Sequence, residues 1–210
     1  IYTLSLHDAL PICKLVAGQS LEFQLSTFDP KLQLRKEYLN CISLKTGALF
    51  SCLAEGVGII AGLEALPLSK LSSFFEELGV LFQMQDDVLD LYGKKGRDEI
   101  GCDIKEGKLS LLVLSHFENP VANPKEMARV LLKPREETEQ EDIERLLAEF
   151  RESGSLKSAM NEIVLKTESL MQREILSENP SLSPLVDSII SKMLSPILDT
   201  RNIKEAMYRV

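Results

Sequence analysis

The spacing of apolar residues is the feature of this sequence that most limits its fold. From Cys13 onward, apolar side chains recur every three or four residues, and no segment alternates apolar and polar residues for long enough to predict a strand. The pattern predicts a helix ending near Ser26. It also predicts a long helix from Tyr38 through Leu53 into the small apolar segment 56–62. We therefore expect an all-α fold.

The segment 67–92 is predicted to be the central helix, because it is apolar on nearly every side and such helices are buried. A polar loop follows over 93–108, then a short apolar segment over 109–114. Thr138 and Glu141 have the spacing of a capping box at the start of a helix that ends at Gly154. Two more helices are predicted after it, one reaching Leu170 and the last over 184–206.

The first twelve residues do not resemble the rest of the chain. Residues 1–12 match, position by position, one reading frame of a widely used DNA sequencing adapter. They have neither the basic start nor the cleavage site of a secretory signal. We interpret 1–12 as a non-native segment, and we expect the natural protein to extend upstream of Cys13.

Charge and cysteine content exclude several classes of protein. The chain has 24 Lys and Arg against 32 Asp and Glu, a net charge of −8, whereas nucleic-acid binding needs a basic surface. The cysteines lie far apart and indicate neither a disulfide scaffold nor a zinc site, but a reducing compartment; they are Cys13, Cys41, Cys52 and Cys102. We expect a cytoplasmic protein without an integral membrane segment, since Glu55 and Glu64 bound the apolar segment 56–62.

The central helix ends in a cluster of acidic side chains. Asp86 and Asp90 are four residues apart and lie on one helix face with Gln83, and Asp87 stands beside them. Desolvation, mutual repulsion and the helix dipole all oppose carboxylates here, so a cation is needed to offset them. Oxygen ligands at this spacing suit Mg²⁺. The alternative is a solvated acidic edge at a helix end.

The loop after the cluster combines cations with glycines. Its basic residues are Lys94, Lys95, Arg97, Lys105 and Lys108, and they lie among four glycines. Such a loop can close over a phosphate group. Its acidic residues also allow a surface loop of balanced charge. Taken with the aspartates, the loop indicates a diphosphate site.

Four short motifs occur in a fixed order along the chain. They are residues 18–22 (GQSLE), 45–49 (KTGAL), 82–90 (FQMQDDVLD) and Gly101-x-Asp103-x-x-x-Gly107-Lys108. Together they resemble the trans-isoprenyl diphosphate synthases, the family of the farnesyl and geranylgeranyl diphosphate synthases, with 82–90 similar to the family's second aspartate-rich motif. The resemblance implies an isoprenoid synthase-type helical bundle whose N-terminal helices are missing. Residues 13–210 would then be the C-terminal portion of one polyprenyl synthetase domain.

The resemblance also implies roles for individual residues. Asp86 would bind Mg²⁺ directly, with Asp87 and Asp90 acting through water or neighbouring groups. Lys45 and Lys108 would bind the allylic diphosphate. The oxygens of Thr46 and Gln83 would face the allylic cation. Gln19 and Arg97 would be further substrate-binding residues. His116 is expected to be structural.

The implied reaction joins an allylic prenyl diphosphate to isopentenyl diphosphate in a Mg²⁺-dependent homodimer. Glu22 and Glu99 depart from the family pattern, which usually has Asp and Lys at these positions. The first aspartate-rich motif and the residues that bind isopentenyl diphosphate are absent from the chain, so we expect it to be inactive by itself. Two alternatives remain, a class I terpene synthase and a non-catalytic subunit of a heteromeric synthase. A class I terpene synthase normally has a metal-binding motif of the N-S-E type late in the chain. A non-catalytic subunit tends to lose the aspartates that stand here at 86, 87 and 90.

Overall fold

The computed structural model describes residues 6–26, 34–93 and 100–198. All regular elements in these three ranges are helical, which confirms the all-α fold. The helices are α1 (Leu6–Ser26), α2 (Leu34–Ile42), α3 (Ala48–Ile60), α4 (Ala65–Tyr92), α5 (Cys102–Lys105), α6 (Leu111–Phe117), α7 (Pro124–Leu131), α8 (Gln140–Glu152), α9 (Ser155–Met171), α10 (Glu174–Glu178) and α11 (Leu182–Leu198).

Helix α4 is the centre of the core, as its all-round apolar composition predicts. It packs against α3, α6, α9 and α11, and Leu78, Leu81, Met84 and Val88 are completely buried. Phe82 is an exception, because 38% of it is exposed and its ring lies 5.6 Å from that of Phe50. The buried carboxyl-terminal half of α4 also contains two acidic residues with buried side chains, Asp87 and Asp90.

The predicted long second helix is confirmed, but it contains a π-helical turn. This turn, Ser43–Gly47, joins α2 to α3 without a break. A π turn inserts an extra residue into a helix and is found most often at functional sites. Here it contains Lys45 and Thr46, two of the predicted site residues.

The prediction of no integral membrane segment considered only residues 56–62, whereas α2, the π turn and α3 form one helix over 34–60. It has 27 residues with a mean hydropathy of 1.3 in its most apolar window, so it is long and apolar enough to cross a membrane. The apolar helix is therefore much longer than the segment 56–62 from which the prediction was made. Within the fold the helix packs along α4, and a third of the window is buried.

The predicted capping box at Thr138 and Glu141 is wrong by one residue. Glu139 is the N-cap of α8, and Asp142 completes the capping box. The reason is a 3-10 turn over Arg135–Glu137, after which the Thr138 hydroxyl donates to the Pro134 carbonyl instead of capping the helix. Helix α8 places Ile143, Leu146 and Phe150 in the core.

Among the other helices, the long ones were predicted and the short ones were not. Helix α9 ends one residue beyond the predicted Leu170, and the predicted helix 184–206 corresponds to α11, with positions after 198 outside the described residues. The short helices α5, α7 and α10 were not predicted. Helix α7 had a start signal in the sequence, because the Asn123 side chain accepts a hydrogen bond from the Glu126 amide and Pro124 is the first helical residue.

Candidate active site

A cavity of about 180 Å³ lies between α1, α2, the π turn, α4 and the segment 103–110. Five of the predicted site residues line it: Lys45, Gln83, Asp86, Asp87 and Lys108. Glu22 and Asp103 add two more carboxylates to its wall. The fold therefore brings together residues that are up to 86 positions apart in the chain. Arg97 lies outside the described residues.

Close helix packing holds the π turn against its neighbours. A Cβ at Gly18 would lie 2.7 Å from the backbone nitrogen of Lys45, and a Cβ at Gly79 would lie 2.9 Å from the Cα of Gly47. Real Cβ atoms do not approach other atoms so closely, so larger residues at Gly18 and Gly79 would push α1 and α4 away. These two glycines fix the position of Lys45 and Thr46.

Lys45 forms an ion pair with Glu22 across the cavity. The Lys45 ammonium donates to both carboxylate oxygens of Glu22, at 2.8 and 2.9 Å. The Gln19 side chain donates to Glu22 as well, at 2.8 Å. Gln19 is thus a neighbour of Glu22 and is not on the cavity wall. The glutamate at position 22, a departure from the family pattern, is long enough to reach Lys45.

Lys108 is held by two carboxylates on the opposite side. Its ammonium lies 3.4 Å from Asp103 and 2.6 Å from Glu106, and Glu106 also contacts Arg135 at 2.6 Å. Burial opposes the charge, but the hydrogen bond to Glu106 and the charge of Asp103 outweigh it and raise the pKa of Lys108 well above its ordinary value. Lys108 is therefore a permanent cation, as a diphosphate-binding residue needs to be.

Asp87 is buried and fully hydrogen-bonded. The Tyr38 hydroxyl and the Leu111 amide donate to its Oδ2, both at 2.8 Å, and the Gln83 amide donates to its Oδ1 at 3.0 Å. Burial raises the pKa of Asp87 to about 7, although the hydrogen bond from Gln83 works in the opposite direction. The remaining contact of Gln83 is with Thr46, whose hydroxyl donates to the Gln83 oxygen at 2.7 Å.

Asp90 connects the aspartate motif to the glycine-containing loop. Its carboxylate is buried and accepts a hydrogen bond of 3.1 Å from the Asp103 amide, and its carbonyl accepts one of 3.1 Å from Gly101. Gly101 has a φ of +78°, a left-handed conformation that favours glycine. Asp90 thereby fixes the segment that contains Asp103 and Lys108. Of the three aspartates, Asp86 and Asp87 line the cavity and Asp90 does not.

The oxygen donors of the cavity suit a hard divalent cation. Asp86 is half-buried on the wall, and Asp103 and Glu22 lie on the same wall. Across the described ranges, no three acidic, His or Cys side chains form a ready cation site. Mg²⁺ usually takes one or two protein carboxylates and completes its shell with water and phosphate oxygens. The residues present fit a cation that reaches the site with a diphosphate.

Some residues of the cavity wall are not among the predicted site residues. Tyr38 and Cys41 line the cavity. Tyr38 lies seven residues before Lys45, which is two helical turns, so this spacing was a signal for a shared face. The Cys41 thiol donates to the Gly18 carbonyl, and burial raises its pKa to about 11, which keeps it protonated at neutral pH. All four cysteines are free.

His116 is a structural residue, as expected. It is completely buried, and its Nε2 lies 3.3 Å from the Asn123 carbonyl, to which it donates. Its Nδ1 lies 3.3 Å from the Ser155 hydroxyl. Both ring nitrogens thus have hydrogen-bond partners, and His116 is not among the residues that line the cavity.

Curated relatives of the chain are isoprenoid synthases. The short chain isoprenyl diphosphate synthase of Methanocaldococcus jannaschii is 34% identical over 116 residues, which cover 51% of this chain and 34% of that protein. The geranylgeranyl diphosphate synthase of Methanosarcina mazei is 28% identical over 182 residues, which cover 83% of this chain and 53% of that protein. The chain thus spans about half the length of its relatives, or less.

The fold also matches solved structures of such enzymes. A geranylgeranyl pyrophosphate synthase gives a TM-score of 0.76 at 25% identity, covering 88% of this chain and 58% of that one. The enzyme from Pyrococcus horikoshii gives 0.64 at 27% identity, covering 95% and 56%. A family model described as polyprenyl synthetase matches residues 6–150. The chain belongs to the polyprenyl synthetase family, whose members are prenyltransferases.

Proposed function

We propose that the whole protein containing this chain condenses an allylic prenyl diphosphate with isopentenyl diphosphate, and that this chain supplies the site for the allylic diphosphate. The observation that carries the proposal is the cavity itself, which is lined by Lys45, Lys108 and several carboxylates that pair with them. A diphosphate alone would be repelled by the carboxylates, and a metal alone by the lysines. A diphosphate with bound Mg²⁺ suits both sets of charges.

The reaction breaks the C–O bond between the allylic carbon and its diphosphate. The double bond of isopentenyl diphosphate supplies the electron pair for the new C–C bond, and a proton then leaves the product. Lys45 and Lys108 would stabilise the negative charge that develops on the leaving diphosphate. Mg²⁺, bound through Asp86, would supply further stabilisation as a Lewis acid. The oxygens of Gln83 and Thr46 would face the positive allylic end.

The experiment that tests this function is product formation by the protein with its N-terminal half present. We expect Mg²⁺-dependent release of diphosphate that requires isopentenyl diphosphate. Asp86→Ala should lower the rate by about 10²-fold or more, because an interaction made mainly in the transition state is lost. Asp187→Ala, an exposed aspartate of α11, is the matched control. Normal turnover by the Asp86 variant would contradict the metal assignment.

We also propose that residues 1–12 are non-native and that the chain is inactive alone. The match of residues 1–12 to a sequencing-adapter reading frame supports the first point, whereas helix α1 and the family match both begin inside that segment, at Leu6. The reading frame of the gene upstream of Cys13 tests the first point. We expect an aspartate-rich motif followed by basic residues in that upstream frame. A natural coding sequence for residues 1–12 would contradict the proposal that they are non-native.

A further inference from the structure

Tyr38 and Asp87 form a buried pair beside the cavity. They are 2% and 5% exposed, and the Tyr38 hydroxyl donates to Asp87 Oδ2 at 2.8 Å. The Leu111 amide donates to the same oxygen at 2.8 Å. Oδ2 therefore has two donors from different helices, and the carboxylate cannot rotate without losing both.

The second oxygen of Asp87 determines how the Gln83 amide is oriented. Gln83 Nε2 donates to Asp87 Oδ1 at 3.0 Å, while the Tyr38 and Leu111 donors occupy Oδ2. The nitrogen of Gln83 must therefore face Asp87, and its oxygen must face the opposite way. There it accepts a hydrogen bond of 2.7 Å from the Thr46 hydroxyl.

The direction of these bonds fixes what Thr46 and Gln83 offer to a ligand. Thr46 has one hydroxyl proton, and Gln83 receives it, so the remaining lone pairs of both side chains are acceptors. If the Gln83 amide were reversed, its NH₂ group would replace an acceptor with a donor. Oxygen acceptors stabilise a neighbouring positive charge and an NH₂ group opposes it.

We propose that Tyr38 is a positioning residue for prenyl transfer. It holds Asp87 in one orientation, and Asp87 in turn orients Gln83 so that Gln83 and Thr46 present oxygens to the allylic end of the substrate. This inference rests on the proposed function for its chemistry. The positioning itself concerns only residues of this chain and is measurable without substrate.

The test is nuclear magnetic resonance of the Gln83 side-chain NH₂ group in the ¹⁵N-labelled chain. The Gln83→Glu variant identifies the signals by their loss. We expect protected NH₂ protons in the wild type and exchange at least about tenfold faster in Tyr38→Phe, because Asp87 then has one donor fewer to hold it.

Two further variants make the result specific. Tyr92→Phe is the matched control, since the buried Tyr92 hydroxyl donates to the Leu147 carbonyl at 2.9 Å, away from the cavity. Thr46→Val removes the contact on the other side of Gln83 and should leave the NH₂ protons protected. The proposal is overturned if Tyr38→Phe leaves the Gln83 signals unchanged, if Tyr92→Phe changes them equally, or if Thr46→Val alone exposes them.

Turnover by the protein with its N-terminal half separates this inference from the proposed function. With prenyl transfer established, Tyr38→Phe should lower kcat by about tenfold and leave the KM for the allylic diphosphate unchanged, because the contacts to the diphosphate remain. An equal rise in KM would contradict positioning of the allylic end. Absence of prenyl transfer in the wild type would refute the proposed function, while the Gln83 signals would still decide the orientation.

Discussion

Individual carboxylates in this chain have distinct roles that follow from their partners. Asp87 is surrounded by neutral donors, whereas Asp142 at the start of α8 is surrounded by cations. The Asp142 side chain is 2% exposed and contacts Lys133, Arg129 and Arg145. It also accepts the Glu139 amide at 3.2 Å as part of the capping box. This arrangement lowers the pKa of Asp142, chiefly through the hydrogen bond from Lys133.

Asp142 gives a prediction for stability. Asp142→Asn should lower the free energy of unfolding at neutral pH by about 1–3 kcal/mol, since charge-assisted hydrogen bonds are lost. A lowered pKa in the folded state contributes stability above the ordinary value of 3.8, and this contribution disappears as the pH falls below it. The difference between the two proteins should therefore shrink in acid. Urea denaturation across this pH range measures it.

The control for Asp142 is Glu126→Gln. Glu126 contacts Arg129 and Arg145 as well, but it lies on the surface. Exposed ion pairs contribute about 0–1 kcal/mol, so this variant should be close to wild type. Equal effects of the two substitutions at neutral pH, or a constant difference in acid, would contradict the role given to Asp142.

At the scale of helices, the π turn and the two glycines that pack around it are the main determinants of the site. Gly79 of α4 lies against Gly47, so Gly79→Ala should lower the free energy of unfolding by about 1–3 kcal/mol through overpacking. A Cβ at Gly56 of α3 would meet nothing within 4 Å. Gly56→Ala should therefore be neutral or stabilising by about 0.5–1 kcal/mol. Thermal or urea unfolding measures both variants.

These two substitutions have opposite expected signs although both replace a helical glycine by a better helix former. A stabilised Gly79→Ala protein would show that α4 does not need the close contact with the π turn. A Gly56→Ala protein that is as unstable as Gly79→Ala would show that the cause is not local packing.

Helices with a strong periodic pattern could be predicted from the sequence, and local exceptions could not. Helix α4 was correct within two residues because its apolar character extends over its whole length. The start of α8 was displaced by one residue, since the 3-10 turn before it depends on Pro134 and has no periodic signal. The π turn was not predicted, because it depends on how closely Gly18 and Gly79 allow the neighbouring helices to approach.

In the candidate site, too, the residues within motifs could be predicted and the contacts between helices could not. Lys45, Gln83, Asp86 and Lys108 were predicted, since the motifs contain them and the fold brings them to one cavity. The contact of Tyr38 with Asp87 joins α2 to α4 over 49 residues of sequence. No pattern within either helix specifies this contact, because it depends on tertiary packing.

For the whole molecule, the exposed apolar residues of α3 are the most unusual feature. Leu53, Val57 and Ile60 follow one face at helical spacing and are 72%, 66% and 88% exposed. Val16 and Phe23 of α1 are also largely exposed. Contiguous exposed apolar surfaces of this kind mark contacts with other protein or with a membrane. The full-length relatives have further residues that this chain lacks, and we propose that the full-length protein is also a homodimer.

The exposed face predicts that the isolated chain self-associates. Sedimentation velocity should show species larger than a monomer, and the double variant Leu53→Lys and Val57→Lys should shift the protein toward monomer. Val121→Lys, at a single exposed position in a turn, should have no effect. A monomeric wild-type chain, or association that the double variant leaves unchanged, would contradict the prediction.

The central claim is that this chain contains the allylic diphosphate site, and calorimetric titration of the chain with geranyl diphosphate tests it most directly. We predict binding that requires Mg²⁺ and weakens at least about tenfold, or 1.4 kcal/mol, in Asp86→Asn and in Lys45→Met. Asp187→Asn should bind as the wild type does. Absence of binding with Mg²⁺ present, or binding that neither chelation nor these two substitutions weaken, would contradict the account.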